Sequence, residues 1–430
     1  MLRLVLVCCA LGALAAAPAC VASSSPAAAP KAQAPVVRVA SDAGFARAVS
    51  DLRLSGGTIV LRPQLYHQLL IGPRGRAPLR IVGSRGVRVR SVLFSGTQNV
   101  SLGNVRVGPI GNDALVEVRK SRNVVLHDLH VSAHRTRYAA SVLVSDAVGV
   151  TIRDSTFTHC GDRAREFTNC VTLYRWAHRV LIERNRFHDC FGCDFVHGRF
   201  GSHLTIRNNT FDRALPCSMN KHRCGHNDLV QLFAGRHLLV EGNRFGVYRE
   251  GGAQLYLTND VDYATIVNNL FRGTDPRVPG YHARMGVVIG SNESKRLPHY
   301  AKLINNTILT GHRRRDGYAG SIRMNSRYGG VPRWKRPIVA NNVIALLQQP
   351  ARVCNSSQRF VANVVLVGKS CKPDDHVGPV DLDGWGRPRK GSPVIGAANR
   401  HYAPKKDHSG RHRPNRPTIG AHEFRPAAAP

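Results

Sequence analysis

Acidic residues are scarce in this 430-residue chain, where 27 Asp and Glu stand against 61 Lys and Arg for a formal charge of +34 and an isoelectric point near 10.8. So large an excess calls for a polyanionic partner. Long apolar runs are missing too: beyond the N-terminus nothing approaches the roughly 18 apolar residues that read as a membrane span, so none is expected. Phosphate loops and zinc-finger spacings are absent, and the basic residues follow no known recognition module, which argues against a nucleic-acid partner. Heptads and collagen triplets are also lacking. With 43% hydrophobic residues, the chain is nonetheless too apolar for wholesale disorder.

The N-terminus runs Met1-Leu2-Arg3, then an apolar stretch to Ala17, then a Ser/Ala/Pro-rich stretch to about Pro35. This predicts a secretory signal over 1–22 and a linker over 23–36, and so a secreted, extracellular protein. Cys20 leaves open a lipid anchor at that position, while Ala17-Pro18-Ala19 also suits ordinary signal cleavage. Eight cysteines follow residue 20, an even number that predicts disulfides in an oxidising compartment. The alternative is a four-thiolate zinc site at Cys160, Cys170, Cys190 and Cys193.

One phrase recurs along the chain: an apolar residue, two variable positions, Asn, one variable position, then Phe or another apolar residue. It reads Ile182/Asn185/Phe187, Ile206/Asn209/Phe211, Val240/Asn243/Phe245 and Ile266/Asn269/Phe271, and continues at Ile304/Asn306/Ile308, Val339/Asn342/Ile344 and Phe360/Asn363/Val365. Its last position steps by 21 to 37 residues, which implies a coil of about 21 to 26 residues with loops inserted in some coils. Each phrase follows a β-rich segment such as Ser141-Val-Leu-Val-Ser145, and no amphipathic helix intervenes. Stacked about 4.8 Å apart, such coils predict an internal column of Phe157, Phe187, Phe211, Phe245 and Phe271 and a ladder of Asn side chains.

On these residues the chain resembles the right-handed parallel β-helix superfamily, the pectate-lyase-like fold. Ser41 to Leu52, then Ser55-Gly-Gly-Thr-Ile-Val-Leu61, resembles its N-terminal cap helix and first strand, with Ser41 or Asp42 as helix N-cap. Gly391-Ser-Pro-Val-Ile-Gly396 with Asp407, Gly410-Arg411 and Ile419-Gly-Ala-His-Glu423 is similar to the closing segment of many exported members. The resemblance implies an all-β, single-stranded β-helix over 37–385, closed by a basic segment over 386–430. That segment holds ten basic residues from Arg387 onward against Asp407 and Glu423. The Asn-Thr-Asp, Asp-Asp, Gly-His-Gly and Arg-Ile-Lys set of polygalacturonases and the Asp-Pro-His-Glu motif of alginate epimerases are absent, so no catalytic residue is carried over.

Counting back 17 residues from successive Phe positions gives Cys170, Asp194, Asp228 and Gln254 as one column. Two carboxylates at one strand spacing need a shared proton, a cation such as Ca²⁺, or a basic neighbour, which makes Asp194 and Asp228 the candidate centre. The other reading is a pair of turn residues bonded to backbone. Val196 and Val230 should point inward, with the two Asp sharing that parity unless they lie in the preceding turn. Around them, His197 or His226 is the candidate base and Tyr256 the candidate acid of a β-elimination. Arg175, Arg199, Lys221, Arg223 and Gln231 are candidate substrate contacts, since guanidinium groups suit sugar carboxylates. Tyr174, Trp176 and Tyr256 are candidate stacking surfaces, and Arg323 and Arg327 lie farther along. The expected disulfides are Cys160–Cys190, Cys170–Cys193, Cys217–Cys224 and Cys354–Cys371.

The resulting expectation is a monomeric, secreted lyase of a uronic-acid polysaccharide. Two alternatives stay open: a non-catalytic polyanion-binding β-helix, and a glycoside hydrolase or uronate epimerase on the same fold, the hydrolase using Asp194 and Asp228 as its acid and base.

Overall fold

The structure is a computed structural model that describes residues 33–108, 115–132, 140–160, 169–215, 228–247, 252–273, 285–291, 298–310, 320–326, 337–347, 354, 359–373 and 375–426. The expected signal and most of the linker lie outside them. So do His226, Lys221, Arg223, Cys217, Cys224 and Arg327.

A helix, Asp42–Asp51, opens the coil stack, with the Ser41 hydroxyl accepting the Gly44 N–H at 3.0 Å as N-cap. Thirty-three strands follow or flank it among the described residues, and every strand ladder is parallel. Each strand of the central coils pairs with the third strand along. Asn169–Tyr174, His178–Glu183 and Arg186–Phe191, for instance, lie over Val196–Gly198, Ser202–Arg207 and Thr210–Leu215. The chain therefore winds with three strands per coil, an all-β parallel β-helix. Alternate side chains point into its bore, because successive strand residues face opposite ways.

The repeated phrase explains why the coils stack. Phe157, Phe187, Phe211, Phe245 and Phe271 are fully buried, with ring centroids 4.5 to 5.0 Å apart. Beside them the Asn185, Asn209, Asn243, Asn269, Asn306, Asn342 and Asn363 side chains form a continuous ladder. In a typical rung, Asn209 Nδ2 donates to Ile182 O at 2.8 Å and to Asn243 Oδ1 at 3.0 Å, while Asn209 N donates to the same Oδ1 at 2.9 Å. The residue before each ladder Asn takes a left-handed conformation, as at Asn208 (φ 55°), Gly242 (φ 62°) and Asn268 (φ 56°), which Asn and Gly adopt most cheaply.

The basic closing segment runs along the side of the stack. Its backbone meets the left-handed Asn of successive coils: Asn268 Nδ2 donates to Lys406 O at 2.7 Å, Asn305 Nδ2 to Thr418 O at 3.0 Å, and Asn341 Nδ2 to Asn399 O at 2.9 Å. This lateral strap is signalled by Asn-Asn pairs at 268/269, 305/306 and 341/342, where the second Asn serves the ladder and the first holds the strap. Arg413, with a side chain only 2% exposed, pairs with Glu423 and locks the strap to Asn268 Oδ1 at 2.8 Å.

Two strap histidines make it acid-sensitive. Burial, then the neighbouring His408, pulls His422 down to about 4, and burial likewise lowers His408, whose Nδ1 lies 2.8 Å from Asn268 O. Both rings are kept neutral in the fold, so the unfolded chain binds more protons between the ordinary 6.5 and about 4. Stability from these rings is complete above that range and falls as pH drops through it. Amide protection factors of residues 399–423, corrected for the intrinsic slowing of exchange in acid, should therefore fall between about pH 7 and about pH 4.5, ahead of those of the central ladder. Equal protection at both values would contradict this.

The cysteines correct the expected pairing. Cys160 bonds Cys170, and Cys354 bonds Cys371, while Cys190 and Cys193 are buried thiols. Cys190 Sγ lies 2.9 Å from Cys170 Sγ, so the sulfurs of Cys160, Cys170 and Cys190 meet, but the partner of Cys160 is ten residues ahead in sequence rather than on the next coil. Burial holds the Cys193 thiol well above its ordinary value.

Candidate functional site

The outer face of one wall carries several of the candidate side chains. In register on successive coils stand Glu117, Leu143, Thr172, His197, Gln231, Tyr256, Val288 and Arg323. Their strand neighbours Val196, Val230, Leu232, Leu255 and Leu257 are fully buried in the bore, which turns this column outward. His197, Tyr256 and Arg323 are half-buried, and Gln231 is 8% exposed between the first two. At one strand spacing per coil, the His197 and Tyr256 backbones stand about 10 Å apart, close enough for both side chains to reach one sugar ring.

Local packing fixes these groups. Phe233 lies edge-on to His197 with ring centroids 4.9 Å apart and carries the exposed Arg199 guanidinium 5.5 Å from its centre. Arg199 and His197 are thus held against one ring, at neighbouring edges of the face. The Asp194 carboxylate approaches the imidazole from below, with Oδ2 3.8 Å from His197 Nε2. A negative charge there favours the positive charge that develops when the ring takes a proton.

Asp194 and Asp228 themselves do not form the expected centre. Both precede their strands, Asp194 is 5% and Asp228 1% exposed, and each carboxylate accepts the backbone N–H of the next coil. Asp228 N donates to Asp194 Oδ1 at 2.8 Å, and Ala253 N donates to Asp228 Oδ1; Asn169 Oδ1 serves Asp194 N in the same way at 3.1 Å. The column is therefore Asn169, Asp194, Asp228 and Ala253, one residue off from the expected Cys170 and Gln254. The reason is turn length. Four residues, Tyr174 to Ala177, separate strand partners in one coil where three, Arg199 to Gly201, do so in the next, and the register slips again between Leu232 and Ala234. Asp194 Oδ1 and Asp228 Oδ1 each take a backbone N–H where a shared Ca²⁺ was expected. The same burial removes them as acid and base of a hydrolase.

The remaining candidates lie around this face. Arg175 sits in the turn after Asn169–Tyr174, left-handed (φ 55°), 3.8 Å from Asp146 and off the column. Tyr174 and Trp176 flank it and are 51% and 69% exposed. Arg323, only a distant basic residue in the sequence, is brought into the column by pairing across two inserted segments, for which no local signal exists.

A family model described as the right handed beta helix region matches residues 90–271. The chain has the right-handed parallel β-helix fold. No curated protein matches this β-helix chain in sequence. Among solved structures it is similar to a PL6-family polysaccharide lyase from Pseudopedobacter saltans, at 12% identity over 80% of this chain and 96% of that one, with a TM-score of 0.47. A surface adhesin of Streptococcus pneumoniae is 11% identical over 80% of this chain and 89% of its own, with a TM-score of 0.43. The pectate lyase of Bacillus sp. N165, solved with trigalacturonate, is 12% identical over 78% and 82%, with a TM-score of 0.34. Likenesses this distant say nothing about the activity of the β-helix described here.

Proposed function

We propose that this β-helix acts outside the cell on an acidic polysaccharide, cleaving a uronic-acid polymer by β-elimination. The observation that carries the proposal is the outward column that sets a histidine, a glutamine, a tyrosine and an arginine in register on one face, beside Arg199. β-Elimination needs three things: neutralisation of the substrate carboxylate, removal of the C5 proton and protonation of the leaving O4. Arg199 and Arg323 are assigned to the carboxylates, His197 to the C5 proton and Tyr256 to the leaving oxygen. Gln231 can bond sugar hydroxyls between them. Asp194 is a positioning residue that steadies the imidazolium as it forms.

The formal charge of +34 favours a polyanion, and the two disulfides suit an oxidising compartment. Purified protein incubated with polygalacturonate, alginate and glycosaminoglycans should release products with the ultraviolet absorbance of an unsaturated uronate. Reducing ends without that absorbance would point to hydrolysis, and binding without any product to a non-catalytic role; either result defeats the lyase reading.

A further inference from the structure

The strap contains a duplication. Asp383-Gly-Trp-Gly-Arg-Pro-Arg389 recurs 24 residues on as Asp407-His-Ser-Gly-Arg-His-Arg413, and Val394-Ile-Gly-Ala397 recurs at the same step as Thr418-Ile-Gly-Ala421. The two copies fold alike. Asp383 Oδ1 accepts the N–H groups of Trp385 and Arg387 at 2.8 and 2.9 Å, and Asp407 Oδ1 those of Ser409 and Arg411 at 2.9 and 3.0 Å. In each, the Asp N–H bonds the Arg carbonyl at 2.8 Å and the Gly N–H bonds the Asp carbonyl at 2.9 Å, with Gly386 and Gly410 left-handed at φ 71° and 77°. A Cβ at that φ would be strained, which accounts for Gly in both copies.

Between the two hairpins and the end of the strap lies an open cleft of about 1010 Å³. It is lined by five cations, Arg387, Arg389, Lys390, Arg411 and Arg425, all exposed, against three acids, Asp383, Asp407 and Glu423. The acids are spent on the fold: the two Asp cap their own turns, and Glu423 holds the buried Arg413 and the Thr418 N–H. Arg389 lies 3.6 Å from Asp381 and Arg425 3.9 Å from Asp407, whereas Arg387, Lys390 and Arg411 have no carboxylate within 4.0 Å among the described residues. Three uncompensated cations on one concave wall repel each other, and an anion in the cleft relieves that repulsion. Phe424, with Pro388 and Pro426, adds an apolar wall, and the volume far exceeds that of a bare ion.

We propose that this cleft is a second binding site, which takes the carboxylate or sulfate groups of an acidic polysaccharide and holds the polymer apart from the outward column. None of its lining residues belongs to that column. The proposal rests on the reading above only for the class of polymer. Guanidinium groups pair with oxyanions through two parallel N–H bonds, so Arg387 and Arg411 are the main anchors and Lys390 a point charge in the same cleft.

The test uses the full chain and its Arg387→Gln/Lys390→Gln/Arg411→Gln variant. Polygalacturonate and heparin serve as carboxylated and sulfated probes, inorganic phosphate as a bare oxyanion and dextran as a neutral control. Titration calorimetry at about 50 and about 300 mM salt, across which screening of exposed charges strengthens sharply, reads the affinity. The variant should bind one or both acidic polymers at least about tenfold more weakly, with a flatter salt dependence, given the strength of charge-assisted bonds. Its melting temperature should match the parent's, since all three side chains are exposed. Which polymer loses more separates carboxylate from sulfate recognition. Undiminished polymer binding in the variant overturns the proposal, as does phosphate binding as tightly as the polymers. If no polymer is ever cleaved yet binding depends on these three residues, the cleft stands and the lyase reading falls; if cleavage occurs and the variant binds normally, the reverse holds.

Discussion

Tyr256→Phe should reduce release of unsaturated product by about 10² to 10⁴-fold, the usual contribution of one positioned proton donor, while leaving polymer binding nearly intact. The ring stays in place in this variant, on the outer face opposite the inward Leu255 and Leu257, and only the hydroxyl is lost. A fall in kcat with an almost unchanged KM is the signature of a group that acts in the transition state alone. His197→Gln should produce a comparable fall and change the pH dependence of kcat, because the titrating base is gone. Asp194→Asn should cost less and shift the acid limb of that profile: the amide oxygen still accepts the Asp228 N–H, but the charge 3.8 Å from the imidazole is absent. Arg323→Gln should raise KM more than it lowers kcat. Should Tyr256→Phe turn over at the parent rate, the assignment of the acid is wrong and the outward column loses its claim to chemistry.

Asn243→Ala should be the most damaging single substitution outside the site. The Asn243 side chain, fully buried, makes four hydrogen bonds: Nδ2 donates to Ile206 O at 2.7 Å and Asn269 Oδ1 at 3.0 Å, and Oδ1 accepts from Asn209 N at 2.9 Å and Asn209 Nδ2 at 3.0 Å. Alanine strands those partners with no water to replace the lost bonds, and each buried unsatisfied group costs about 1 to 3 kcal/mol. A loss of about 4 kcal/mol or more follows, measurable as a lowered urea midpoint or as failure to accumulate folded protein. Position matters as well as chemistry. Because each coil contacts only its neighbours, a central defect separates two halves of the stack, whereas Asn363→Ala near the last rung should cost visibly less. A drop of under about 1 kcal/mol at Asn243 would mean that the ladder contributes little and that the Phe column holds the coils together.

Much of this was legible because a solenoid writes its packing into sequence. The phrase ending at Phe187, Phe211, Phe245 and Phe271 places one aromatic per coil, and those residues do stack with centroids 4.5 to 5.0 Å apart. The Asn three positions after an apolar residue marks the ladder for the same reason. The Asn before the ladder residue at 268, 305 and 341 acquired a meaning only with the strap in place. The site was less so. His197, Gln231 and Tyr256 were named individually, but around an Asp pair that belongs to the backbone of the turn.

The sequence alone, then, determined the period, the inward columns, the class of fold and the charge, since all of these follow from local patterns repeated coil after coil. Tertiary structure decided which side chains share an outer face, which cysteines bond and where the closing segment lies. One extra residue between Leu173 and His178, relative to Gly198 and Ser202, is enough to move Cys170 out of the Asp column and put Asn169 there. Side chains alternate along a strand, so a single residue of turn length exchanges inside for outside, and the turns are where the repeat is least regular.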